Sequence, residues 1–359
     1  MRAFNFAPGP AMLPTEVMEQ VRAELTDWKG SGASVIEISH RSKAFMELAA
    51  QAETDLRELL CVPAHYRVLF MQGGPSAQFA LVPLNLAQAG ARADYIDTGA
   101  WSRKAITEGA RYCRVHLAAD EAASNYCTVP DERTLKFSAD AAYVHYTPNE
   151  TIGGVEFPYI PVSGNVPLVA DMTSTLLSRP IEVSRWGLIY AGAQKNFGPS
   201  GLTLVIVRDE LLGRARAETP LVFNYQAVAA EGSMLNTPPT FPWYVASLIF
   251  KWLKAQGGLA VMGERNRTKA QLLYAAIDAS GLYRNKVAPS CRSWMNVPFT
   301  LARPELEEAF LSAATAAGLT NLAGHRLVGG LRASLYNGMP LAGVEALCAF
   351  MQEFERRYG

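Results

Sequence analysis

A large α/β fold, with a mostly parallel sheet covered by helices and a smaller C-terminal α/β unit beside it, is what this sequence predicts. Between about residues 66 and 206, short runs rich in Val, Ile, Leu and Tyr alternate with helical patterns. Those runs are apolar nearly throughout, as strands buried on both faces must be, and helical crossovers between them imply parallel pairing. After about residue 255 the rhythm changes to helix, strand, helix, strand, helix. With 359 residues, 49% of them hydrophobic, the chain has material for one large core and a second, smaller one.

In chain order, the predicted strands of the large unit are 66–71 (YRVLFM), 93–98 (ADYIDT), 141–146 (AAYVHY), 166–171 (VPLVAD), 187–193 (GLIYAGA) and 201–207 (GLTLVIV). Helical patterns at SAQFALVPLNLA and SRKAITEGARY separate the early ones. In the smaller unit, helix 259–278 leads to strand 293–302, helix 304–319, strand 331–337 and a final helix 341–359. The division that follows is 15–255 for the large unit, with 1–14 and 256–359 forming the small one. No internal repeat, low-complexity tract or long charge run interrupts this order.

Composition narrows the function classes. Lys+Arg and Asp+Glu balance at 33 each, so no charge excess points to nucleic acid or to an anionic membrane surface. The five cysteines form no CxxC pair, and the five histidines no HExxH pair, so neither a disulfide framework nor a metal site is expected. The start, MRAFNFAPGPAML, lacks the pattern of a signal peptide, and FPWYVASLIFKWLK is too short to span a bilayer. The expectation is a cytoplasmic protein with free thiols.

Ligands of open α/β sheets sit at the carboxyl ends of the strands, so the residues that follow each strand carry the functional reading. After YRVLFM, the Gly-rich turn QGGPSAQF opens a helix and offers free N–H groups to a phosphate. After ADYIDT stands Trp101, a ring able to lie on a flat ligand. Asn149 and Thr151 follow AAYVHY, placed to bond a ligand oxygen. Asp171 ends VPLVAD, and Gln194 and Lys195 follow GLIYAGA. A carboxylate and an ammonium at the ends of two apolar strands need a common purpose, because each is expensive to desolvate alone. Pyridoxal phosphate supplies one: a lysine amine binds it as a Schiff base, and an acid keeps its pyridine nitrogen protonated.

Longer stretches, including FNFAPGPAMLP, SVIEISHRSKAF, VLFMQGG, ADYIDTGAWS, NETIGGVEF, LLSRPIEVS, IYAGAQKNFGPSGLT, GSMLNTPPTF and GHRLVGGLRASLYN, carry a resemblance from end to end. The chain resembles the phosphoserine aminotransferases, of the class V, fold-type I family of pyridoxal-phosphate enzymes. The resemblance implies that Lys195 is the Schiff-base lysine and the general acid/base. It implies that Asp171 pairs with the pyridinium nitrogen, Trp101 stacks on the ring and Thr151 contacts its phenolic oxygen. Pro75, Ser76, Gln194, Asn236 and Thr237 would hold the cofactor phosphate, with Asn236 and Thr237 reaching in from a second subunit. A homodimer with shared active sites follows from that arrangement.

For substrate, the resemblance implies that Arg332 grips the α-carboxylate, while His40, Arg41, His325 and Arg326 bind the distal anion across the subunit boundary. The implied reaction is a ping-pong transfer from L-glutamate to 3-phosphohydroxypyruvate, giving 2-oxoglutarate and O-phospho-L-serine for serine biosynthesis. Bacterial members also form 4-phosphohydroxy-L-threonine on the route to pyridoxine. One departure stands out: where some relatives read GGGRGQF, this chain reads GGPSAQF, so Ser76 replaces an anion-binding arginine. The two His-Arg pairs are therefore expected to carry more of the phosphate binding. A cysteine desulfurase is the nearest alternative enzyme. It is disfavoured by Trp101 at the stacking position and by the lack of a cysteine in a suitable loop. A non-catalytic phosphate-binding protein of the same fold is the other alternative, disfavoured because Lys195, Asp171 and Arg332 are all present.

Overall fold

The computed structural model describes residues 2–359. Seven strands form the main sheet: β2 (Tyr66–Met71), β3 (Arg92–Asp97), β4 (Arg114–Asp120), β5 (Val144–Tyr146), β6 (Leu168–Asp171), β7 (Leu188–Gly192) and β8 (Thr203–Arg208). A short β1 (Phe4–Asn5) precedes them elsewhere. The spatial order is β2-β8-β7-β6-β5-β3-β4. Pairing is parallel from β7 across to β4, whereas β8 runs antiparallel to both β7 and β2. The two reversals cancel, so β2 points the same way as the parallel strands, and β8 alone runs against the rest. Consequently the segments leaving β2, β3, β5, β6 and β7 all emerge on one edge.

Successive residues of these strands enter opposite cores. Val68, Phe70, Ala170, Ile189 and Ile206 join the cluster beneath α2 (Lys43–Leu60) and α6 (Thr240–Ala255). Leu69, Met71, Val169, Tyr190 and Val205 join the one beneath α3 (Gly74–Leu86), α4 (Ala100–Gly109) and α5 (Tyr225–Ala230). Burial on both faces is why the strands read as continuous apolar runs. Helix α2 begins where the Ser42 hydroxyl accepts the Phe45 N–H at 3.3 Å, and ends at Cys61 in the left-handed conformation, φ +50°. Its Asp55 meets Lys254 of α6 at 2.7 Å, and Trp243 of α6 stacks on Phe70 with centroids 4.3 Å apart.

The chain's C-terminal part has its own sheet, β12-β10-β9, antiparallel throughout, from β9 (Tyr283–Arg284), β10 (Asn296–Leu301) and β12 (Leu331–Ser334). It packs with α7 (Gly258–Asp278), α8 (Glu307–Ala316) and α9 (Leu341–Tyr358) around an aromatic cluster centred on Phe310, 5.1 Å from both Phe350 and Phe354. Strand β1 pairs in parallel with β11 (Leu319–Thr320), so the start of the chain docks on this unit. A remaining helix, α1 (Thr15–Glu24), lies against α6 through Tyr244, whose hydroxyl donates to Glu24 at 2.6 Å.

Several boundaries differ from expectation. Strand 141–146 starts only at Val144, and 331–337 stops at Ser334. The helix expected from Ser102 begins at Ala100, and that expected from Ser76 begins at Gly74. Strand β4 was not anticipated at all. It is the sheet's outer edge, and its RVHLAAD exposes Arg114, Leu117 and Asp120, so no apolar run marks it.

Candidate active site

A pocket of about 260 Å³ opens where the strand ends converge. Pro75 and Ser76 follow β2, Trp101 follows β3, Thr147, Asn149 and Thr151 follow β5, Asp171 ends β6, and Gln194 and Lys195 follow β7. His325 and Arg332 come from the C-terminal unit, and Pro8 and Gly9 from the first segment of the chain. The pocket therefore gathers nine residues that the sequence nominated, Asn149 aside: Pro75, Ser76, Trp101, Thr151, Asp171, Gln194, Lys195, His325 and Arg332. The other five lie outside its lining. Arg41, Asn236, Thr237 and Arg326 are exposed, and His40 is half-buried.

Lys195 is 7% exposed, and its Nζ donates to the Thr151 hydroxyl. Burial pulls its pKa down from 10.5 to about 8; Asp171 and Glu150 oppose the shift, and the Arg332 charge adds to it. Asp171 is also buried, and burial pushes its carboxyl up. Hydrogen bonds from the Thr173 hydroxyl at 2.5 Å and backbone N–H at 3.0 Å, together with the Lys195 charge, oppose that rise without cancelling it. The Thr173 hydroxyl in turn accepts the Gly192 N–H at 3.3 Å, tying the ends of β6 and β7 together. The Trp101 ring lies with its centroid 5.4 Å from Lys195 Nζ and 4.2 Å from Lys104 Nζ.

The end of the pocket beside Pro75 and Gln194 is built from backbone freedom. Gly73 takes φ +97°, and Gly74 φ +68°, which turns the chain sharply from β2 into α3 and brings the helix N-terminus to the pocket. A Cβ on Gly192 would lie 2.4 Å from Gln194 Oε1 and 2.6 Å from Pro75 Cγ, so glycine lets those two residues close over the strand end.

Arg332 is 4% exposed and reaches the Thr151 carbonyl at 3.4 Å. Burial lowers its pKa, and it depresses His325, whose imidazole is lowered first by burial and then by Arg332, Arg326 and Lys104. That gathering of cations at one mouth suits an anionic substrate. Four atoms on the lining residues are buried without a partner among the described residues: Trp101 Nε1, Thr147 Oγ1, Asn149 Oδ1 and Arg332 Nε. Native interiors rarely leave such groups bare, so this cluster fits a polar ligand of several oxygens.

Sequence reasoning passed over Pro8, Gly9, Thr173 and Glu150. The Ala11 N–H donates to the Gln194 carbonyl at 2.8 Å, which lays the APGP segment across the site. A proline-rich start, with Pro8, Pro10 and Pro14 around Gly9, was the available signal. A larger cleft, of about 1040 Å³, lies between α1, α6, α7 and residues 337–341 and contains none of the nominated residues. No helix among the described residues is long and apolar enough to cross a membrane.

Known proteins match this chain over nearly its whole length. The family model for aminotransferase class-V matches residues 3–347. A phosphoserine aminotransferase of Pseudomonas aeruginosa is 57% identical over 358 residues, 100% of this chain and 99% of that relative. The solved phosphoserine aminotransferase from Bacillus circulans subsp. alkalophilus is 45% identical, with TM-score 0.97, covering 100% of this chain and 99% of that one. A PLP-bound phosphoserine aminotransferase from Trichomonas vaginalis is 42% identical, with TM-score 0.93, over 98% of this chain and 100% of that one. With a buried lysine and a buried aspartate on adjacent strand ends and relatives of this closeness along its full length, the chain belongs to the class-V aminotransferases.

Proposed function

We propose that this chain is a pyridoxal-phosphate-dependent phosphoserine aminotransferase that moves the amino group of L-glutamate to 3-phosphohydroxypyruvate. The observation that carries the reading is the pairing of buried Lys195 with buried Asp171 beneath Trp101 and beside Arg332. The relatives named above support the substrate assignment. Pro75, Ser76 and Gln194 would hold the cofactor phosphate, Thr151 its phenolic oxygen, Asp171 its ring nitrogen and Trp101 its face. When bound, pyridoxal phosphate supplies the aldehyde that takes up the amino group and a ring that draws electrons from the substrate Cα.

The chain's own residues then have defined tasks. Arg332 grips the substrate α-carboxylate with its planar pair of donors and so fixes the direction of the Cα–H bond. Lys195, released as a neutral amine, would take the Cα proton at Nζ and pass a proton on to the bound cofactor within the same half-reaction, the second half-reaction running that transfer in reverse; its lowered pKa keeps a usable share of the amine neutral near pH 8. Burial raises the Asp171 carboxyl, the two Thr173 hydrogen bonds favour its ionised form, and it would hold a proton on the ring nitrogen of the bound cofactor. Trp101 excludes water from one side of the site.

We further propose a homodimer in the cytoplasm, in which Asn236, Thr237 and the exposed Arg41 and Arg326 complete the neighbour's site. Their exposure on their own chain supports this, as do apolar residues beside them in sequence: Ile36 is 56% exposed and Leu327 66%. The division into residues 15–255 and a small unit of 1–14 with 256–359 is proposed because one hydrophobic cluster gathers Phe6 and Met12 with residues between Ala270 and Phe354, and β1 pairs with β11.

The test is spectroscopic and chemical. Protein loaded with pyridoxal phosphate should show a visible band that glutamate bleaches, and 3-phosphohydroxypyruvate should restore it better than unphosphorylated keto acids. Lys195→Ala should still bind the cofactor yet lose amino transfer altogether; full activity in that variant would end the proposal.

A further inference from the structure

Helix α4 begins in an unusual way. Its N-cap position is Gly99, which has no side chain to accept the free N–H groups of the first turn. A residue remote in sequence does so instead. Glu150 accepts the Trp101 N–H through Oε2 at 3.0 Å and the Ser102 N–H through Oε1 at 2.8 Å, and it is fully buried. Glycine at 99 is what admits it, since a Cβ there would stand 2.7 Å from Glu150 Cδ. Glu150 precedes Thr151, the residue that contacts both Lys195 and Arg332. One carboxylate therefore joins the backbone of the stacking tryptophan to the loop that touches the lysine.

We propose that Glu150 is a positioning residue that locks the Trp101 ring in register with Thr151 and Lys195, so that the two walls of the pocket are held as one body. The assignment rests on the cofactor reading above. A carboxylate suits the task better than an amide. Burial raises the Glu150 carboxyl to about 7 against the pull of the two N–H groups; above that pH both of its oxygens accept, as those N–H groups require, and the positive end of the α4 dipole faces it. Glutamine keeps the size but turns an NH2 group toward one of those N–H donors, leaving a buried donor unpaired and the first turn of α4 free to shift.

The experiment is equilibrium titration of the apoprotein with pyridoxal phosphate, read as the dissociation constant, for wild type, Glu150→Gln, Trp101→Ala and the double variant. If Glu150 acts through Trp101, Glu150→Gln weakens binding about tenfold in the wild-type background and less than about twofold once the ring is gone, because coupled residues lose non-additively. Equal losses in both backgrounds, or wild-type affinity in Glu150→Gln, would overturn the assignment. If Glu150→Gln yields no folded protein, the same cycle is run with Gly99→Ala, whose Cβ displaces the intact carboxylate. Failure of the wild type itself to bind pyridoxal phosphate would instead reject the functional reading on which this assignment rests.

Discussion

Lys195 is the residue whose environment makes the sharpest quantitative demand. With its pKa pulled from 10.5 to about 8 by burial, roughly a quarter of its amine is neutral at about pH 7.5, against about a thousandth for a free lysine. The rate at which the apoprotein captures pyridoxal phosphate should therefore rise with pH along a titration centred near 8. Stopped-flow loading measures it, and a midpoint above about 10 would show the amine to be solvated like any other lysine. The same shift acts on stability with a fixed sign. Between about pH 8 and 10.5 the unfolded chain holds a proton that the folded one has released, so stability from this group rises with pH across that window. Chemically odd residues of this kind, a charge at the end of an apolar strand, are why Lys195, Asp171 and Trp101 were legible in the sequence. Glu150 was not, because within NETIGG it looks like one more polar turn residue. Only the missing cap side chain at Gly99 hinted that α4 needed an acceptor from elsewhere.

At the scale of elements, the site depends on how the hairpin-like loop 149–156 is wedged between the two sheets. Asn149 bridges Glu156 across the loop, and the Asn149 amide donates to Ser174 at 2.8 Å on one side and to Asn296 of β10 at 2.9 Å on the other. Gly154, at φ +71°, presses so closely on β10 that a Cβ would sit 2.3 Å from Pro298 Cδ and 2.8 Å from the Asn296 carbonyl oxygen. Gly154→Ala should accordingly cost about 2–4 kcal/mol of stability through strain and overpacking, and it should loosen Thr151 against Lys195. Denaturant unfolding gives the first quantity and cofactor affinity the second; an unchanged midpoint would mean the loop is free to retreat. The elements that pattern reasoning found were those with both faces buried, because their apolar runs leave no ambiguity. The edge strand β4 escaped because half of its side chains face water, and the closeness of Gly154 to β10 escaped because no local pattern encodes which sheet a loop will meet.

For the whole molecule, the question is whether one chain makes a complete site. Nine nominated residues meet in a single pocket, while Arg41, Asn236, Thr237 and Arg326 face solvent and His40 is half-buried. The part proposed for them was legible only through resemblance, since nothing in the local sequence says whether a surface arginine is covered by another copy. If Arg41 binds the distal phosphate as proposed, Arg41→Ala should raise KM for 3-phosphohydroxypyruvate at least tenfold while kcat moves less, as loss of a charged hydrogen bond to phosphate implies. Mixing decides where that arginine acts. Subunits carrying Lys195→Ala should be inactive, and subunits carrying Arg41→Ala should be weak at low keto acid. If Arg41 serves the neighbour, a hybrid of the two holds one site in which Lys195 and Arg41 are both intact. In a random one-to-one mixture about half the dimers are hybrids, so activity at low keto acid should recover to about a quarter of wild type. If each chain builds its own site, no hybrid contains an intact one, and mixing will only dilute the activity of the Arg41→Ala enzyme. A sedimentation measurement showing a monomer would exclude the shared arrangement independently.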